Sequence, residues 1–191
     1  GYLALSANTT GGSNVAVGHD ALEANTTGAS NTAVGQGAME ANTTGDQNTA
    51  LGISALNVNT TANNNTAVGF EAMVANTTGT GNVAVGYRAL DANTTSSYST
   101  AVGFNALTAN TGAENTAFGA YALVTCSTGI QNTSLGYSAL EKVTTGSYNT
   151  AVGHKALEEN LASNNTAIGF GALEANTTAS GNVAVGYAAL E

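Results

Sequence analysis

Apolar positions fall along this chain in two short clusters that return with a long, fixed period. One cluster is a three-residue alternation, Thr-Ala-Val or Val-Ala-Val, closed by glycine. The other is an Ala-Leu or Ala-Met pair that begins three residues after that glycine. The closing glycines are Gly18, Gly35, Gly52, Gly69, Gly86, Gly103, Gly119, Gly136, Gly153, Gly169 and Gly186. Counted from Gly1, nine of the steps are 17 residues and two are 16. A recurrence at this period marks a repeat architecture. The unit reads Gly-aromatic-x-Ala-Leu-x-Ala-Asn-Thr-Thr-Gly-x-x-Asn-Thr-Ala-Val, and its positions are called places 1 to 17 below.

Each unit offers about two large apolar side chains, too few to bury a core alone, so stacked units must share one. The pattern predicts an all-β, parallel β-solenoid of the β-roll or β-helix kind, with eleven 17-residue coils. The whole of 1–191 reads as one array, with a partial coil from Gly186 and no linker or second domain. Both short steps fall where Asn-Thr-Thr-Gly shrinks to Asn110-Thr111-Gly112 or becomes Asn160-Leu161-Ala162, which marks that segment as a surface turn.

Within a coil, Asn-Thr-Ala-Val is the expected strand. Thr and Val exchange at place 15 (Thr32 and Thr49 against Val15, Val83 and Val183), as suits a half-buried β-branched site. Period-two geometry puts place 15 on one face with Val17, Val34, Leu51 and Val68. Ala16, Ala33 and Ala50 then point outward, small enough for another chain to pack closely against them. The segment after the glycine reads two ways. Gly, Ala, Leu and Asn at places 1, 4, 5 and 8 have the spacing of a helical face. A bent second strand fits as well, and the alternative architecture is an α/β solenoid with one short strand and one short helical turn per coil.

Composition sharpens the setting. Ala, Thr, Asn and Gly supply 113 of 191 residues, and only 8% are charged, against about 25% in an average soluble domain. Three basic residues against 12 acidic ones give a net charge of −9. A nucleic-acid partner needs Lys and Arg to displace phosphate counterions, so that class is disfavoured, as is an anionic membrane surface. No apolar run of about 18 residues is present to span a bilayer. The chain starts at Gly1 without an initiator Met or a recognisable signal peptide, as a processed chain or a segment of a longer one would. The single Cys126 has no partner for an internal disulfide.

Asn14-Val15-Ala16-Val17-Gly18 and Asn165-Thr166-Ala167-Ile168-Gly169 resemble the Asn-Ser-Val-Ala-Ile-Gly repeat of trimeric autotransporter adhesin heads. The longer unit Asn31–Gly45 is similar to repeats of phage tail-fibre and other surface-fibre proteins. The resemblance runs over the whole chain. It implies a parallel β-roll that trimerises side by side and an extracellular, cell-surface or virion-surface location. The adhesin repeat is shorter and lacks the Ala-Leu-x-Ala-Asn-Thr-Thr-Gly insertion.

Stacking turns each place into a rank of like residues. Place 2 collects Tyr2, His19, Phe70, Tyr87, Phe104, Tyr137, His154, Phe170 and Tyr187, a packing or contact ladder that could instead track a sugar chain. His19 and His154 stand eight coils apart and cannot share a metal. Place 6 is acidic in Glu23, Glu40, Asp91, Glu141, Glu158, Glu174 and Glu191, which reads as a solvated stripe. Asn-Thr-Thr is a glycosylation acceptor sequence at Asn8, Asn25, Asn42, Asn59, Asn76, Asn93 and Asn176. The adjacent threonines of that turn, such as Thr26 and Thr27, do not line one strand face, so they make a poor ice-binding array.

No Ser or Cys stands with a His and a carboxylate at a meaningful spacing. The expectation is therefore no enzyme, no cofactor and no metal. The chain reads as a structural segment of a fibre, filament, adhesin or tail fibre that associates with itself through coil ends or laterally. A ligand-binding solenoid, for ice or cell-surface glycans, is the alternative.

Overall fold

The computed structural model describes residues 1–191, and the protein is an all-β parallel solenoid without a helix. Contacts divide it into two compact units, Gly1–Tyr98 and Ser99–Glu191. The first carries β1 (Val15–Val17), β2 (Thr32–Val34), β3 (Thr49–Leu51), β4 (Thr66–Val68) and β5 (Val83–Val85). The second carries β6 (Thr100–Val102), β7 (Thr116–Phe118), β8 (Thr133–Leu135), β9 (Thr150–Val152), β10 (Thr166–Ile168) and β11 (Val183–Val185). Within each unit successive strands pair in parallel, and each place lies beside the same place of the next coil, as in Thr49↔Thr66, Ala50↔Ala67 and Leu51↔Val68.

The strands are only three residues long, yet coils bond to one another almost all the way round. Leu22 N–H donates to Ala38 O at 3.0 Å, Ala24 N–H to Glu40 O at 2.9 Å and Thr32 N–H to Asn48 O at 2.8 Å. In the opposite sense, Gly35 N–H donates to Val17 O at 2.8 Å and Gln47 N–H to Ala29 O at 3.0 Å. A buried backbone group left unpaired is costly, and this arrangement pairs turn segments as well as strands.

The strand faces are the reverse of the sequence expectation. Ala33, Ala50, Ala67, Ala84, Ala101, Ala117, Ala151 and Ala167 are fully buried, while the Thr or Val before and the Val, Leu, Ile or Phe after point outward. Val17 is 55% exposed and Leu51 48%. The physical reason is the thinness of the coil. Its interior is already occupied by the Leu or Met of place 5 and the asparagines of places 8 and 14, all fully buried in the inner coils. Little more than a methyl group fits opposite them, and extra methylenes in a packed core are destabilising. Ser134, the one polar residue at this place, is buried with its hydroxyl donating to Ala139 O at 2.8 Å.

The segment after the glycine is neither second strand nor helical turn. It is a run of overlapping tight turns. Ala38 N–H donates to Gly35 O at 3.3 Å, Glu23 N–H to Asp20 O at 3.3 Å and Asn42 N–H to Met39 O at 3.1 Å. Backbone φ is positive at places 3 and 5, as at Asp20 (58°) and Leu22 (54°), and again at place 13, as at Ser30 (60°). The turns bonded from place 4 to 1 and from 8 to 5 reproduce the i, i+3 spacing that suggests a helix. Left-handed residues at place 3, inside the first of these turns, and at place 5, where the second begins, prevent one from forming. Bulky residues seldom adopt positive φ, and β-branched ones least of all. Accordingly, places 3, 5 and 13 never hold Val, Ile or Thr, and place 5 is always Leu or Met. The place-1 glycine turns the corner after the strand. At Gly52 φ is +143°, and an added Cβ would lie 2.3 Å from Gly69 O.

Two buried asparagine ladders run from coil to coil. At place 8, Asn59 Nδ2 donates to Asn42 Oδ1 at 2.8 Å and to Ala62 O at 3.1 Å. At place 14, Asn65 N–H donates to Asn48 Oδ1 at 2.9 Å, and Asn65 Nδ2 to Gly79 O at 2.8 Å. These amides bind the turn of one coil to the strand edge of the next. The two shortened coils lose their residue inside the turns that include Asn110–Gly112 and Asn160–Ala162, outside every strand.

Candidate functional site

The place-2 rank is exposed on both units. Tyr2 is 71% exposed, Phe70 and Tyr87 each 41%, Phe104 44%, Tyr137 49%, Phe170 47% and Tyr187 80%. In the first unit Tyr2 stacks on His19 at 5.3 Å and Phe70 on Tyr87 at 5.5 Å, with ringless Gln36 and Ile53 at the intervening coils. In the second, Tyr137, His154, Phe170 and Tyr187 stack in order at 5.3, 5.0 and 5.3 Å, with ring planes 13°, 4° and 11° apart. Each such pair contributes about 0.5–1.5 kcal/mol beyond area burial.

Tyr121, at place 3, completes this stack where place 2 is Ala120. It meets Phe104 and Tyr137 edge-on at 5.5 and 5.8 Å. A sequence reading confined to place 2 misses it; the signal available was an aromatic residue beside a place-2 alanine. Because inner rings such as His154 and Phe170 are covered on both faces, the rank offers ring edges to solvent. A saccharide platform needs an open ring face, which inner rings such as His154 and Phe170 do not provide.

Three place-6 carboxylates, Glu40, Glu158 and Glu174, meet a cation or an amide, while Glu71 at place 3 and Glu159 at place 7 take the other cations. Lys155 Nζ lies 2.9 Å from Glu158 and 3.7 Å from Glu174, and Lys142 pairs with Glu159. Arg88 Nε lies 2.6 Å from Glu71, with its guanidinium 5.7 Å from the Tyr87 ring centre. The hydrogen bond from each cation to its carboxylate is the main cause holding the Arg88, Lys142 and Lys155 pKa values above their ordinary range. Asn57 Nδ2 donates to Glu40 at 3.1 Å. Burial pushes the Asp91 carboxyl up, against the opposing pull of Arg88.

The acceptor-sequence asparagines are the place-8 ladder itself. Asn25, Asn42, Asn59, Asn76 and Asn93 are fully buried, and Asn8 and Asn176 are half-buried. The Nδ2 atoms of Asn25, Asn42, Asn59 and Asn76 each donate both to the preceding asparagine and to a turn carbonyl three residues on. In the folded coil that nitrogen is engaged and out of reach of a sugar-transferring enzyme. Cys126 takes the same place, fully buried, with its Sγ 3.5 Å from Gly129 O. Burial pushes its thiol pKa up to about 11.

Neither unit opens a pocket, and no three His, Cys, Asp or Glu side chains gather as a metal site would require. His19 Nδ1 lies 2.5 Å from Asp20 Oδ2 on the surface of its own coil. Compared with models of protein families, with curated proteins and with solved structures, the chain matches none.

Proposed function

We propose that this chain is a structural repeat segment of an extracellular fibre or filament, of the adhesin or phage tail-fibre kind, that associates with copies of itself. The supporting observation is where the polar groups go. The buried asparagine amides of places 8 and 14 bond to the neighbouring coil, and so do the hydroxyls of Thr26, Thr43 and Thr60. Residues that an enzyme would converge on a reacting atom are here distributed one per coil, in ranks. Such an economy suits repetition of a stable unit, with no catalytic role.

The exposed aromatic rank is the surface best suited to contact between copies. Large apolar side chains left in water mark interaction sites, and Tyr is among the residues enriched where proteins meet. The net charge of −9 stays on other places, chiefly place 6, where it keeps the surface hydrated. On this reading the molecule works at a cell or virion surface and its first partner is itself.

Light scattering on the purified chain, followed by negative-stain microscopy of the same sample, tests the proposal. Oligomers or filaments are expected, and Tyr137→Ser with Phe170→Ser should reduce their mass. A chain that stays monomeric up to the highest soluble concentration, with no filaments on the grid, would overturn it.

A further inference from the structure

The outward side chains of the strands form a surface of different chemistry from the aromatic rank. In the second unit, place 15 is Thr100, Thr116, Thr133, Thr150 and Thr166 on five successive in-register strands. In the first unit it is Thr32, Thr49 and Thr66, flanked by Val15 and Val83. Two residues further along each strand, place 17 adds a parallel rank of aliphatic side chains, interrupted by a ring only at Phe118.

The coil uses its two sets of threonines differently. At place 9, the hydroxyls of Thr26, Thr43 and Thr60 donate to carbonyls of the next coil at 3.0, 3.0 and 3.3 Å. At place 15 the hydroxyls bond to no protein acceptor and are left to water. Each belongs to a β-branched side chain, stiff at χ1, on a strand hydrogen-bonded to its neighbours. Hydroxyl and methyl therefore recur at the parallel-strand spacing of about 4.8 Å.

Two further observations bear on what could lie against this surface. Ring planes of successive coils from Tyr137 to Tyr187 differ by only 4–13°. Corresponding side chains of these coils therefore keep close to one orientation from coil to coil. The surface is also uncharged: all 15 Asp, Glu, Lys and Arg residues stand at other places, and none is at place 15 or 17 in any coil. Its complement is a neutral ligand that repeats in step with the strands and takes hydrogen bonds from hydroxyls.

We infer that this threonine–aliphatic face binds ice, its ligand being the ordered water layer at an ice surface. Holding one water in place costs up to about 2 kcal/mol, and many ordered waters cost far less. A rigid rank divides that cost over identical sites, each with a hydroxyl to anchor a water and a methyl for others to cage. Bound charges would orient water away from a lattice, and the face has none. A second copy of the chain is the competing occupant.

The test uses the full chain and measures thermal hysteresis and partition into a growing ice crystal, with mass by light scattering at the same concentration. Thr133→Lys with Thr150→Lys places charge on the face. Thr145→Lys with Thr178→Lys places the same charge on exposed turn threonines of the same unit. Circular dichroism confirms that each variant is folded. The unsubstituted protein should shape ice and show hysteresis, the strand variant should lose both, and the turn variant should keep both. Absence of ice activity in the unsubstituted protein, or equal loss in the two variants, would overturn the inference. So would an ice-inactive protein whose mass falls only in the strand variant, which would assign the face to contact between copies. The fibre proposal is judged separately, by the aromatic-rank variants.

Discussion

Asn59→Ala removes one rung of a buried amide ladder, and the structure sets the size of the effect. Asn59 Nδ2 donates to Asn42 Oδ1 and to Ala62 O, and its own Oδ1 accepts from Asn76 Nδ2 at 3.2 Å. The three partners do not suffer equally. Ala62 O keeps the bond from Asn48 Nδ2 at 2.8 Å, and Asn76 Nδ2 keeps Gly79 O at 3.0 Å. Asn42 Oδ1 keeps no donor and is buried. One orphaned buried acceptor costs about 1–3 kcal/mol, and two weakened bonds add about 1 each, so roughly 3–5 kcal/mol is expected. Against a usual domain stability of about 5–15 kcal/mol, that loss is severe. Urea denaturation followed by circular dichroism reads it, with Asn57→Ala as the control. Asn57 is half-buried and donates only to Gly37 O and Glu40, both in part-buried bonds, so the loss of the two should cost about 1–2 kcal/mol. Equal effects of the two substitutions, or less than about 1 kcal/mol for Asn59→Ala, would refute the ladder as a source of stability.

Leu56 is fully buried at φ 52°. Leu56→Val should cost about 2–3 kcal/mol, a lost methylene plus a β-branched residue in the left-handed region. Leu56→Met, the residue of Met39 and Met73 at this place, should cost under about 1.5 kcal/mol; calorimetry separates the two. Cys126 should resist a thiol reagent at pH 8 and react fully once urea unfolds the chain. Its folded thiol pKa, about 11, lies above the ordinary 9.0, so the folded state holds its proton more tightly. That contribution to stability is complete below pH 9 and lost as pH rises toward 11. Urea midpoints across that range should therefore fall more steeply for the native sequence than for Cys126→Ala.

The coil period, the parallel solenoid and the turns that absorb the two deletions are all legible in the repeat, because backbone stacking forces like residues into register. Which strand face is buried is not. Hydrophobicity favours Val17 over Ala16 for the interior, but the volume left beside Leu22 and Asn25 decides it, and volume is a property of the closed coil. The turn segment misleads for a related reason: its Gly, Ala, Leu and Asn spacing is shared by a helix and by overlapping turns. Positive φ at Asp20 and Leu22 distinguishes them, and its trace in the sequence is the absence of Val, Ile and Thr from those places. The aromatic rank is visible by residue type, whereas Tyr121 joins it from the neighbouring place. The acceptor sequences at Asn25, Asn42 and Asn59 match a surface motif, yet the same amides are needed inside the coil.

The inward alanine and outward threonine underlie both the packing of the coil and the proposed ice face, and one labelling series tests them together. In a Cys126→Asn background, single cysteines are placed at Thr49, Ala50 and Leu51 of β3, and their rates with a polar thiol reagent are compared. The structure predicts fast, slow, fast, following the exposed, buried, exposed order of that strand. A slow, fast, slow result would put the alanine in water and contradict the account.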